Sequence, residues 1–166
     1  MGEYFFAKNG NRILFKLTGT LKYTTCGHFD SFLDSFFASE CDVEEIVIDL
    51  TEADYLDSTN LGFLAKTAEF MLEKNGSTTT IYSTSDDVNQ TLVSVGFDEI
   101  FNLVRSKPES GDYNIINPES FEKKDKTLMM LDAHKCLMKI NDRNEKTFSD
   151  VVKLMEQSLK CQKPSI

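Results

Sequence analysis

A glycine-rich phosphate loop, a metal-ligand cluster and a membrane-length apolar run are all missing from these 166 residues. The eight glycines are scattered, with no spacing that would cradle a phosphate chain. The longest apolar runs fall far short of the roughly 20 residues needed to cross a bilayer. The amino-terminal stretch MGEYFFAKNGNR shows neither the basic n-region nor the apolar h-region of a secretory signal. A cytoplasmic protein with no membrane contact is therefore expected. The four cysteines, Cys26, Cys41, Cys136 and Cys161, lack both metal-ligand and compact disulfide spacing. They read as reduced thiols, with no metal site. A nucleophilic serine needs a base within hydrogen-bond reach, and neither His28 nor His134 has a recognisable triad context. Both read as ordinary helix residues, and no cysteine–histidine pair suggests itself. No catalytic residue is assigned, no cofactor is called for, and the chain is not expected to be an enzyme.

What is present is a folded, acidic chain. A hydrophobic content of 40% with 13 phenylalanines suffices for a real core and excludes wholesale disorder. The net charge of −9 is uneven. Residues 1–106 carry 17 acidic against 7 basic side chains, a net of −10; residues 107–166 carry 10 against 11, a net of +1. Phosphate backbones attract basic patches, so nucleic acid is excluded as a partner. A protein partner with a basic surface fits better, because charge speeds encounter and suppresses wrong pairings.

The segments YFFAK and RILFKLTG, separated by NGN, predict a β-hairpin. Phe29, Phe32, Leu33, Phe36 and Phe37 follow at the spacing of one helical stripe. EEIVIDL has the length and continuous apolar character of a strand covered on both faces. A helix then begins near Ser58, with Leu61, Leu64, Ala65, Ala68, Met71 and Leu72 on one face, and stops at Gly76. TTTIYST reads as a strand, DDVNQTLVSVGF as a short helix with an acidic first turn, and IFNLV as a closing strand. The order β-β-α-β-α-β-α-β, with helical crossovers, predicts parallel pairing in the centre of a four- to five-stranded mixed sheet. From Lys107 the texture changes: residues 107–125 read as a linker and 126–166 as a helical extension. The extension holds two helical patterns, the second striped by Phe148, Val151, Val152, Met155 and Leu159. They either form an αα-hairpin laid on the 1–106 domain or offer an apolar face to a partner.

The stretch IVIDLTEADYLDSTNLGFL carries the strongest functional signal. Serine is a preferred helix N-cap, since its oxygen accepts a bond from a first-turn N–H. Capping alone would account for Ser58. If Asp57 caps instead, the serine hydroxyl is left free at the helix mouth, where N–H groups can receive phosphate oxygens.

That stretch resembles the signature of STAS domains of the anti-sigma factor antagonist type. Asp57 and Ser58 fall on the motif's aspartate and phosphoacceptor serine, Thr59 on the following Ser/Thr, and Leu61-Gly62 on its Leu-Gly. LTGTL and VSVGFDEIFNLV extend the resemblance over about residues 3–106. Asn60 replaces the usual glycine, and Lys22 stands where an aspartate often follows GTL. The tail from 107 to 166 lies outside the resemblance.

The resemblance implies a STAS-type α/β fold and a partner-switching phosphoprotein of bacterial transcription regulation. When Ser58 is unphosphorylated, such a protein binds a serine kinase that is also an anti-sigma factor, or a related regulator. Phosphorylation of Ser58 releases it, and a PP2C-type phosphatase resets it. The alternative is a constitutive STAS adaptor that is never phosphorylated. Phe63 and Phe70 fall on the wheel opposite the core stripe, and two accounts fit them. Either the tail helix bearing Phe148, Val152 and Met155 covers them, or with Asp54 they form a partner-binding face beside the switch residues Asp57, Ser58, Thr59 and Asn60.

Overall fold

The structure, a computed structural model, describes residues 2–39, 42–109, 111–118 and 125–162; Cys41 lies outside them. Strand β1 (Glu3–Asn9) turns through Gly10 and Asn11 into β2 (Arg12–Leu21). Asn9 pairs with Arg12, which makes this the expected antiparallel hairpin. Gly10 supplies the positive φ of 63° that the first position of a tight two-residue turn needs. After a 3-10 turn at Tyr23–Thr25 comes α1 (Gly27–Ser39), which buries Phe29, Leu33 and Phe36. Strand β3 (Glu45–Asp49) runs parallel to β2, with Ile13 opposite Ile46 and Phe15 opposite Ile48.

Parallel pairing continues outward through β5 (Thr80–Tyr82) to β6 (Asn102–Val104) at one edge. Between them lie α3 (Asp86–Ser94), capped by Ser85, and the single turn α4 (Phe97–Ile100). Two short strands add to the five expected ones. β4 (Ala53–Leu56) pairs with β2, and β7 (Asn114–Ile115) pairs with β1 at the other edge. β7 falls inside the segment that reads as a linker, of which residues 110 and 119–124 lie outside the described ones. Among the described residues the sheet is seven-stranded and mixed, in the order β6-β5-β3-β2-β1-β7 with β4 beside β2. Both faces of β3 are buried, as its composition requires. Ile46 and Ile48 enter the main core under the helices, and Val47 joins Ala7 and Leu14 on the opposite face.

Helix α2 (Ser58–Asn75) ends on Gly76, whose left-handed backbone (φ 72°) lets its N–H return to the Leu72 carbonyl at 3.0 Å. Its buried arc is wider than one stripe, because it is packed from two sides. Towards α1, Phe63 meets Phe29 edge-on at 6.1 Å and is 1% exposed, while Phe70 stacks on Phe37 at 4.2 Å. Helix α1 packs against both phenylalanines, and Phe63 has no surface left to present. Leu72, placed in the core stripe by periodicity, is 65% exposed instead.

The tail forms α5 (Lys126–Met138) and α6 (Asp142–Gln162), packed on each other and laid along a different strip of α2. Along that strip Ser58 meets His134, Gly62 meets the Ala133 backbone, and Glu69 pairs with Lys139 at 3.2 Å. The turn between α5 and α6 is pinned from within. Buried Asn144 donates from its amide nitrogen to the Val95 carbonyl at 2.8 Å and to the Leu137 carbonyl at 2.9 Å. No helix among the described residues is long and apolar enough to cross a membrane.

Gly62 sets how closely α5 approaches, since a Cβ there would lie 2.3 Å from the Ala133 carbonyl oxygen. Gly62→Ala is expected to push the hairpin outward and cost about 1–3 kcal/mol, the usual range for overpacking. Chemical denaturation measures the loss, and amide exchange should accelerate in α5 more than in the sheet.

Candidate functional site

The site is placed by a division of labour along β2. Residues Arg12–Lys16 pair with β3, and the register shifts between Gly19 and Thr20, after which Thr20 and Leu21 pair with Tyr55 and Leu56 of β4. Gly19 takes a positive φ of 76° at this point and donates its N–H to the Glu52 carbonyl at 2.9 Å. The ladder ends with the Asp57 N–H on the Leu21 carbonyl at 3.1 Å. The acidic turn TEADYL is thus partly a strand, and it delivers Asp57 to the end of the sheet as α2 begins.

Asp57 is the N-cap of α2, with extended backbone angles (φ −81°, ψ 174°). One carboxylate oxygen accepts from the Asn60 N–H at 3.0 Å and from the Asn60 side-chain amide at 2.9 Å. The other accepts from the Tyr23 N–H at 2.6 Å. Asn60 is fully buried, and its side-chain oxygen accepts from the Tyr4 hydroxyl. The residue that replaces the motif's glycine is therefore a bridge between the cap and the first strand. Burial, with Cys26 and Asp57 nearby, pushes the Tyr4 phenol well above its ordinary value. Burial, followed by the negative charges of Asp57 and Asp30, pushes the Cys26 thiol up to about 12.

Because Asp57 caps the helix, the Ser58 hydroxyl is released from that duty. It lies 2.8 Å from Nε2 of His134 on α5. Nδ1 of the same ring is 2.5 Å from the Met130 carbonyl oxygen, which can only accept, so Nδ1 carries the proton. In the neutral ring Nε2 is then bare and accepts from the Ser58 hydroxyl. Phe148 of α6 packs against the imidazole with ring centres 5.5 Å apart and planes at 65°. His134, 3% exposed, is thus oriented on several sides. From the sequence alone it is expected to be an ordinary helix residue. It lies 76 residues from Ser58, and only the docking of α5 brings them together.

Ser58 is half-buried and opens into a groove of about 570 Å³. Lys22, Tyr23 and Tyr55 line it from the β2–β4 side, and Phe148, Val151 and Met155 line it from α6. Of the other expected site residues, Thr59 is 2% exposed and Asp54 is exposed on β4, outside the groove lining. Cys26, Cys136 and Cys161 are free thiols.

A raised thiol pKa carries a sign for stability. The protonated Cys26 thiol contributes stability that is fully present below its ordinary value of 9.0 and lost as pH rises through about 12. Urea midpoints should fall between pH 9 and 12, and Cys26→Ala should flatten part of that fall. At pH 8 a disulfide reagent should modify exposed Cys161 readily and leave Cys26 unmodified until the protein unfolds.

The sequence profile of the STAS domain matches residues 6–110. No match is found among curated proteins. Among solved structures, an anti-sigma factor antagonist from Mycobacterium paratuberculosis superposes with a TM-score of 0.55 at 18% sequence identity. The superposition covers 64% of this chain and 87% of that one, a likeness of fold. The profile match spans more than half of the sequence, and the chain belongs to the STAS-domain family.

Proposed function

We propose that this protein is a partner-switching regulator of the anti-sigma factor antagonist type, controlled by phosphorylation of Ser58. The observation that carries the reading is the division of roles at the start of α2. Asp57 does the capping, and the neighbouring hydroxyl faces a groove edged by the exposed aromatics Tyr23 and Tyr55. The similarity of fold to the anti-sigma factor antagonist from Mycobacterium paratuberculosis supports the same role. In the unphosphorylated state the protein binds a serine kinase that doubles as an anti-sigma factor, or a related cytoplasmic regulator. It acts by binding rather than by turnover. ATP belongs to the kinase, and a PP2C-type phosphatase restores the hydroxyl.

The energetics suit a switch that needs no refolding. Phosphate adds about −1.5 to −2 charges next to the Asp57 carboxylate, and helix N–H groups return only about 0.3–1 kcal/mol. Two unit charges 4 Å apart repel by about 1 kcal/mol in water and about 4 at an effective dielectric of 20. A partner surface closing over the groove would have to desolvate both charges, at a cost of several kcal/mol. Each 1.4 kcal/mol is about tenfold in affinity. Thr59 has almost no surface for a kinase to reach, which supports Ser58 as the acceptor.

Peptide mapping after exposure to the kinase is expected to place phosphate on Ser58 and not on Thr59. Phosphate on Thr59 alone would sink the assignment, and no incorporation at all would favour a constitutive adaptor. In pull-downs Ser58→Ala should retain the regulatory partner and Ser58→Asp should weaken it. The aspartate effect should be partial, since one carboxylate supplies about half the phosphate's charge. Equal affinities for the alanine, aspartate and phosphorylated forms would refute an electrostatic switch.

A further inference from the structure

The family profile ends at residue 110, yet the ring nitrogen that hydrogen-bonds the Ser58 hydroxyl comes from outside it. We infer that His134 of the tail hairpin is the proton acceptor of Ser58, so that the chain carries the base for its own phosphorylation site. This deepens the reading of Ser58 as a phosphoacceptor and rests on it.

Three features of the geometry support the assignment. The Nε2–Oγ separation of 2.8 Å is that of a nucleophile–base pair. The Met130 carbonyl holds the proton on Nδ1, which fixes the tautomer whose Nε2 can accept. Finally, the imidazole is buried against Phe148 while the serine is half-buried and reaches the groove. The base is thus shielded and the nucleophile can be approached. A satisfied core histidine could reach any polar atom; this one meets the single hydroxyl that the capping arrangement leaves unused.

The transfer step balances as follows. The Ser58 oxygen forms a bond to the terminal phosphorus of a nucleoside triphosphate held by the kinase. The bond between that phosphorus and the bridging oxygen breaks, and its electron pair leaves with the nucleoside diphosphate. The serine proton passes to Nε2 of His134. The imidazolium so formed, positively charged and now a donor at Nε2, then faces the new phosphate oxygens. One nitrogen serves both states of the switch, as acceptor before transfer and donor after it.

A phosphonofluoridate tests the pair without any kinase. It reacts with an activated serine by forming the oxygen–phosphorus bond and expelling fluoride, while the serine proton goes to the base. Mass spectrometry of the full-length protein should find the label on Ser58. His134→Gln, whose amide accepts a hydrogen bond but does not take up a proton, should slow labelling about 100-fold, the lower end of general-base contributions. His134→Asn provides a second variant if the first unfolds. Imidazole nitrogen NMR of the unaltered protein should show the Nδ1-protonated tautomer. No label on Ser58, equal labelling rates in wild type and variants, or the Nε2-protonated tautomer would each overturn the inference. Phosphoserine occupancy at Ser58 in the native host separates the two readings. Equal phosphorylation of wild type and His134→Gln overturns the proton acceptor and leaves phosphorylation control standing. Labelling that depends on His134, with no phosphoserine ever found, leaves the two side chains a nucleophile–base pair but removes phosphorylation control, and with it the role of His134 at a phosphorylation site.

Discussion

Three donors converge on the carboxylate of Asp57, and much of the site follows from that convergence. Its two oxygens take the backbone N–H of Tyr23, the backbone N–H of Asn60 and the side-chain amide of Asn60. These bonds join the turn after β2, the first turn of α2 and, through Asn60, the Tyr4 hydroxyl on β1. Hydrogen bonds to a charged group are worth about 1.5–3 kcal/mol each, roughly twice the neutral kind. Removing the carboxylate would strand buried Asn60 with an unpaired amide as well as uncapping the helix. One side chain thereby fixes where α2 starts and which hydroxyl at its mouth is left over.

The docking of the tail depends on that starting point. Ser58, Gly62 and Glu69 fall on one strip of α2, and each meets a different part of α5. Gly62 permits near-contact between backbones, which brings His134 into hydrogen-bond range. The far end of the hairpin is held independently by Asn144, whose two carbonyl partners lie on different helical segments. Groups with so many obligatory partners define one position for the hairpin, because an alternative seating would leave buried amides unsatisfied.

Much of this was readable in the sequence where a pattern is local. The Phe29–Phe37 stripe, the Gly76 stop, the NGN hairpin and the acidic start of α3 all follow rules that operate within a few residues, and each element forms as expected. Short pairings were not readable. β4 and β7 exist because β2 and β1 present edges to them, and neither TEADYL nor NII has strand character by itself. The burial of Phe63 escapes a helical wheel for a related reason. A helical wheel counts one buried face, but α2 is enclosed by the sheet and α1 on one side and by α5 on the other. The Asp57–Ser58 choice of cap stayed open in the sequence, since both residue types cap well and only backbone angles separate them. The contact with His134 carried no sequence signal of any kind.

The 76-residue gap between Ser58 and His134 also has a meaning in time. Chains are synthesised at about 5–20 residues per second, with amino-terminal domains folding first. The codon for His134 is therefore read about 4 to 15 seconds after that for Ser58. Through that interval the nascent chain holds every residue of the capped helix mouth but not the imidazole. A chain that has not yet reached His134 and one that has thus differ at this hydroxyl, and the docking of α5 is the event that separates them.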